Sequence, residues 1–244
     1  MKQIITGGLF WAVVFAVPLA GAGQNASAPA SHGHEFAPVA QGERIENLDA
    51  LKREVSQYYA CTCTCGCYAK DLDGQADRAI AYLRKRVLHR APREKMALVL
   101  DIDETALSNY QQMQRVGFAY DKKAFDAWID SAAAPAIPGT LRLYKEAERL
   151  KVSVFFLTGR PETQRAATEQ NLKSQGFEGW QGLILRSPAE ASLTAQAYKS
   201  AERAAIQSKG YHIVLNVGDQ WSDLRGTAEA DYSVKYPDPY YFIR

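Results

Sequence analysis

Four aliphatic residues, Ala97, Leu98, Val99 and Leu100, run without interruption into Asp101, Ile102, Asp103, Glu104 and Thr105. A short apolar run with no polar alternation predicts a strand covered on both faces, as in a parallel sheet flanked by helices. Sheets of this kind place ligands beyond the carboxyl ends of their strands. Three carboxylates at such a place are costly to bury, and a divalent cation held through oxygen is the usual compensation. Alone, Asp101 and Asp103 would serve as well to start a turn or cap a helix.

Two further segments repeat the pattern. Residues 154–157 lead into Thr158, Gly159 and Arg160, and residues 213–217 lead into Gly218, Asp219 and, four positions on, Asp223. Between them Tyr198, Lys199 and Ser200 open a helix. Helical spacing covers residues 45–59, 72–87, 140–150, 162–175 and 199–209, the last two closed by Gly176 and Gly210. Short strands are predicted at 183–185 and 232–235. Strands alternating with helices make the fold class α/β, a doubly wound parallel sheet in one domain over residues 45–244. An insertion at about 108–138, between the first two motifs, concentrates Tyr110, Met113, Phe118, Tyr120, Phe125 and Trp128.

Asp-Ile-Asp-Glu-Thr at 101–105, Leu-Thr-Gly-Arg at 157–160, Tyr-Lys-Ser at 198–200 and Gly-Asp-Gln-Trp-Ser-Asp at 218–223 stand in an order that resembles the haloacid dehalogenase superfamily of phosphoryl-transfer enzymes. With Leu-Ile-Leu-Arg-Ser at 183–187 they look like its class B/C acid phosphatase branch, which includes bacterial class C acid phosphatases and plant vegetative storage proteins. The resemblance implies a small helical cap at the insertion, Mg2+ as cofactor and a small phosphate monoester as substrate, with nucleoside monophosphates as candidates. It casts Asp101 as the nucleophile that forms an aspartyl phosphate and Asp103 as general acid and base. Thr158, Gly159, Arg160 and Lys199 would bind the phosphoryl group, with Arg186 a weaker candidate. Asp101, Asp219, Asp223 and the backbone carbonyl of Asp103 would hold or surround the metal. An acid must be protonated before it acts, so a raised pKa at Asp103 and an acid pH optimum are expected. The alternatives are a storage or phosphate-binding protein on the same fold, or a phosphotransferase; Asp101, absent from inactive storage relatives, argues for activity.

Lys2, an apolar stretch over 4–19 and the small residues Ala20, Gly21 and Ala22 read as a signal peptide over 1–22, which implies a periplasmic or secreted protein without a membrane anchor after cleavage. Residues 23–44 read as a disordered linker, with His32 and His34 solvated. Lys plus Arg of 29 against Asp plus Glu of 27 gives no electrostatic reason to expect nucleic acid as partner.

Every cysteine falls within Ala-Cys-Thr-Cys-Thr-Cys-Gly-Cys at 60–67. Alternate positions on a strand would turn Cys61, Cys63, Cys65 and Cys67 to one face, where they could gather a soft metal. In an exported chain they could instead pair as disulfides, although a Cys-x-Cys bridge closes a small strained ring. A third reading is a fault in the written sequence, since all eight letters belong to A, C, G and T. None of these gives the segment a catalytic role. His89 and His212 read as structural, and Tyr240, Tyr241 and Phe242 as core or as a homodimer contact.

Overall fold

The computed structural model describes residues 46–61 and 67–243. The signal-peptide and linker readings, with His32 and His34, lie outside the described residues, as do Cys63 and Cys65. No helix among the described residues is long and apolar enough to cross a membrane.

Five parallel strands form the sheet: β1 (Lys95–Leu100), β2 (Ser153–Pro161), β3 (Gly182–Arg186), β4 (Tyr211–Gly218) and β5 (Tyr232–Lys235), in the spatial order β3-β2-β1-β4-β5. The strand that begins the first motif is therefore the middle one, which explains why its sequence carries no polar alternation. Its pleat divides the core. Leu98 and Leu100 face one side, with Phe156, Leu143 and Leu83; Ala97 and Val99 face the other, with Phe155, Ile213 and Ile206. The first layer holds α1 (Leu48–Ala60), α2 (Tyr68–Val87) and α5 (Pro138–Arg149), and the second is closed by α7 (Ala195–Ser208).

Between β1 and α5 the chain forms α3 (Tyr110–Arg115) and α4 (Lys122–Asp130). Element starts differ where local chemistry decides them. Helix α5 begins at Pro138, whose fixed φ and missing N–H suit a first helical position. Helix α7 begins at Ala195 because Thr194 caps it, accepting from Ala197 N–H at 3.2 Å, so Lys199 sits in the second turn instead of at the helix start. A 3-10 turn, Glu162–Gln164, separates β2 from α6 (Arg165–Ser174). The chain returns from β4 through the short α8 (Trp221–Leu224) to β5.

At the amino end of the sheet, away from the acidic motif, four charged or titratable side chains close a ring. Glu94 accepts from Arg86 Nη2 at 2.5 Å and meets His212 Nδ1 at 2.6 Å; Asp231 accepts from Arg86 Nε at 3.1 Å and meets His212 Nε2 at 2.8 Å. Burial works against the imidazolium, but Asp231 and Glu94 outweigh it and raise the His212 pKa above 6.5. Arg86 holds Glu94 down at about 2. The His212 contribution to stability is full below its unfolded pKa of 6.5 and is lost as pH rises through the raised folded value. That of Glu94 is full above 4.5 and is lost as pH falls toward about 2. The two coincide between pH 4.5 and 6.5. His212→Gln should therefore lower Tm by roughly 1–3 °C near pH ~5.5 and by much less near pH ~8, by scanning calorimetry. Equal losses at both would remove the charge argument.

Candidate active site

β1 gives up its ladder at Asp101, whose N–H donates to Val217 O at 3.0 Å. The chain then coils tightly. The carbonyl of Ile102 accepts from Thr105, Ala106 and Leu107 at 3.3, 2.9 and 2.8 Å, and Glu104 takes a φ of +54°, in the left-handed region. This turn leaves Asp101 and Asp103 lining a cavity while Glu104 points away from it. The Glu104 carboxylate is fully buried and accepts from Asn109 N–H at 2.6 Å, Asn109 Nδ2 at 2.9 Å and Tyr241 OH at 3.2 Å. Burial, followed by the neighbouring Asp238 and Asp103, pushes its pKa up to about 8. Glu104 thus ties down the turn and takes no place in the acidic cluster.

Asp101, Asp219 and Asp223 form that cluster, with carboxylate oxygens within 4.8 Å of one another and all three residues buried. Lys199 is the cation among them, its Nζ 2.5 Å from both Asp101 Oδ1 and Asp223 Oδ1. Burial disfavours the ammonium, but the two aspartates raise its pKa above the ordinary lysine value, so it stays charged. Burial likewise lifts Asp101 to about 7; Lys199 opposes this, and Asp223 and Asp103 add to it. Asp219 is raised well above the ordinary range, by burial first and then by Asp223 and Asp101. Three buried carboxylates against one ammonium, all offering oxygen, suit a hard divalent cation.

The next turn of α7 completes the grip on Asp223. Arg203, wholly buried, donates to the carbonyls of Asp223, Arg225, Thr227 and Ala228. Asn216 Nδ2 donates to the same Asp223 carbonyl at 2.8 Å. Asp223 also accepts from Gln220 N–H at 2.8 Å, so one carboxylate both caps α8 and joins the acidic cluster. The space is tight enough to require glycine at 218, where an added Cβ would lie 2.4 Å from Asp223 Oδ2.

Asp103 is where sequence expectation and structure part. Burial would raise its pKa, but the Arg160 guanidinium grips both carboxylate oxygens, Nη2 to Oδ1 at 2.7 Å and Nε to Oδ2 at 3.1 Å, and Asn109 Nδ2 adds a third donor at 2.8 Å. Its pKa is lowered, not raised as the acid role led us to expect. Arg160, expected to bind substrate, lies at the cavity surface with this carboxylate as its partner and is braced by Thr168 Oγ1 at 3.2 Å. Gly159 and Lys199 line the cavity, whereas Thr158 is wholly buried behind it, its hydroxyl accepting from Arg160 N–H at 3.2 Å. Arg186 stacks on the Tyr198 ring at 4.7 Å and does not reach the cavity.

The cavity measures about 650 Å3. Its floor is the charged constellation, and its walls are apolar: Phe118, Phe125 and Ile129 from the insertion, and Tyr241, Phe242 and Ile243 from the segment after β5. Of the other insertion aromatics, Tyr120 also lines the cavity and is exposed, whereas Trp128 and Tyr110 are structural. Trp128 is buried and donates to Asn109 Oδ1 at 2.8 Å, and Tyr110 stacks on Tyr59 with ring centres 3.4 Å apart. Tyr240 joins the core, so residues 240–242 divide between core and cavity wall. Cys61 and Cys67 end α1 and begin α2, and neither lines the cavity. Sequence reasoning missed Asn109 and Gln220; Asn109 follows the first motif by four positions and Gln220 stands inside the last, yet only the fold shows what they hold.

A parallel α/β sheet that gathers acids, a lysine and an arginine at one end of its middle strands defines a phosphoryl-handling enzyme on a haloacid dehalogenase-like core. Sequence comparison takes this further: residues 19–244 match the profile of the HAD superfamily, subfamily IIIB (acid phosphatase), and the chain belongs to that family of phosphomonoester hydrolases. Acid phosphatase 1 of Solanum lycopersicum is 40% identical over 179 residues, 72% of this chain and 69% of that protein. Vegetative storage protein 1 of Arabidopsis thaliana is 33% identical over 149 residues, 59% of this chain and 54% of that protein. Among solved structures, the class C acid phosphatase of Bacillus anthracis shares the fold at a TM-score of 0.64 and 24% identity, covering 80% of this chain and 86% of that one.

Proposed function

We propose that the protein is an exported, Mg2+-dependent acid phosphatase that hydrolyses small phosphate monoesters through an aspartyl phosphate on Asp101. The observation that carries this reading is the meeting of Asp101, Asp103, Arg160, Lys199, Asp219 and Asp223 around one cavity. A phosphate monoester carries about two negative charges near neutral pH, and Lys199 and Arg160 supply the positive charge that lets a carboxylate approach it. Asp101, Asp219 and Asp223 would hold the cation, which neutralises charge on the cluster and on the phosphoryl oxygens.

In the first step an Asp101 oxygen attacks phosphorus, the bond from phosphorus to the ester oxygen breaks, and Asp103 delivers its proton to that oxygen so that the alcohol leaves neutral. In the second, Asp103 takes a proton from water, the hydroxyl oxygen bonds to phosphorus, and the phosphorus–Asp101 bond breaks to release phosphate and regenerate the carboxylate. The Asp103–Arg160 pair fits this cycle. A phosphoryl dianion competes for the guanidinium, which binds phosphate and carboxylate with the same fork, and an Asp103 relieved of Arg160 takes up a proton more readily. Substrate arrival then prepares the acid.

The apolar walls favour an aromatic leaving group, and a nucleoside monophosphate meets that description. A storage role draws support from the likeness to a vegetative storage protein, but the retained Asp101 and the completeness of the charged floor favour catalysis. The test is phosphate release from para-nitrophenyl phosphate, a nucleoside monophosphate and a sugar phosphate, with Mg2+ and with a chelator. Release that vanishes on chelation and returns with Mg2+ is expected. Release that survives exhaustive chelation would defeat the metal part of the reading; none from any substrate, in a folded protein that binds Mg2+, would put storage or binding first.

A further inference from the structure

Gln220 stands between the acidic cluster and the cavity wall and is bonded to both. On one side its Nε2 donates to Asp219 Oδ2 at 2.7 Å and its backbone N–H donates to Asp223 Oδ2 at 2.8 Å. On the other, Nε2 donates to Asp238 Oδ2 at 2.7 Å and approaches Tyr241 O at 3.4 Å, while Oε1 accepts from Ile243 N–H at 3.0 Å. These partners fix the amide's orientation, since the nitrogen faces carboxylates and the oxygen faces an N–H. With two protons on Nε2, the two short bonds take one each and Tyr241 O receives only a shared contact.

The segment 238–243 depends heavily on these contacts. Asp238 in turn accepts from Tyr240 N–H at 2.8 Å, and Tyr241 OH reaches Glu104 in the turn after β1. Tyr241, Phe242 and Ile243 form one wall of the cavity, and Phe242 is largely exposed on its outer side. Gln220 itself is buried. Its amide bridges Asp219 of the cluster and Asp238 of the wall, so the placement of the wall is tied to the placement of Asp219.

From this geometry we infer that Gln220 is a positioning residue that couples cation binding at Asp219 and Asp223 to the placement of the substrate wall 238–243. The inference rests on the reading that the cluster binds Mg2+. A cation held by Asp219 and Asp223 fixes the carboxylates that Gln220 grips and so firms the wall; a leaving group packed on Tyr241 and Phe242 in turn favours the cation.

The test uses the full chain in two measurements. Hydrogen exchange is followed at the amides of 238–243 as Mg2+ alone is titrated, in wild type and in Gln220→Leu, and Mg2+ affinity is measured by calorimetry in both. In wild type, Mg2+ should slow exchange at Tyr240 and Ile243. In Gln220→Leu those amides should exchange fast at every Mg2+ level, Mg2+ affinity should fall by about tenfold or more, and KM for an aryl phosphate should rise more than KM for a small alkyl phosphate. Should the variant misfold, the wild-type exchange still decides, because tail protection indifferent to bound Mg2+ overturns the coupling. A well-folded variant that binds Mg2+ within twofold of wild type would overturn it as well. No heat of Mg2+ binding in wild type would sink the metal reading itself, and the coupling with it.

Discussion

Asp101→Asn should cut phosphate release at least about a hundredfold while leaving the protein as stable as wild type or more so. The activity loss follows from the amide's inability to form the acyl phosphate. The stability argument is independent. The carboxyl of Asp101 has its folded pKa lifted to about 7 from 3.8, so its contribution to stability is full below pH 3.8 and is lost as pH rises through about 7. Above that pH, with a chelator present, wild type holds a buried charge that the asparagine variant lacks. Tm at about pH 8 in chelator should therefore be equal or higher in the variant, and the difference should shrink toward about pH 4. Release above about a hundredth of wild type would end the assignment of Asp101 as nucleophile.

Lys199→Met should be costly in both respects. Removing one partner of a buried, paired charge costs about 3–5 kcal/mol, which in a chain of this size is a Tm loss of roughly 6–20 °C. Turnover should fall by about a hundredfold or more, because the transferring group loses the ammonium nearest Asp101. The diagnostic feature is rescue. Mg2+ supplies positive charge to the same carboxylates, so it should recover more Tm in the variant than it adds to wild type, while activity stays low. An unchanged Tm in chelator, or turnover within about tenfold of wild type, would show that Lys199 neither balances the cluster nor assists the reaction.

The parts of the fold that were legible in the sequence are those fixed by local pattern. The unbroken run 97–100 had to be a strand buried on both faces, and it is the middle one. Glycines after 175 and 209 marked helix ends. The motif order brought Asp101, Asp219 and Asp223 to one place, since a parallel sheet delivers successive strand ends there. What the sequence hid depends on long side chains and distant segments. Arg160 lies 57 positions from Asp103, and nothing in either motif says that the guanidinium turns sideways to the acid; that pairing reverses the expected pKa. Residues 241–243 could not be assigned to the cavity wall because their placement depends on Gln220 and Glu104, both far from them in sequence. The position of Lys199 in its helix shifted because a single threonine cap, at 194, sets the start.

Gly218 carries a consequence for how such a chain can drift over generations. Its φ is not in the left-handed region, so an alanine could adopt the backbone without strain. What forbids the methyl is residue 223, whose carboxylate oxygen would lie 2.4 Å away and whose Cβ 2.5 Å away. Those two positions therefore cannot wander separately: exchanging the acid at 223 for any other side chain keeps its Cβ in the way, so 218 stays confined to glycine unless the backbone between them shifts. Glycine at 218 would therefore outlast the loss of the aspartate.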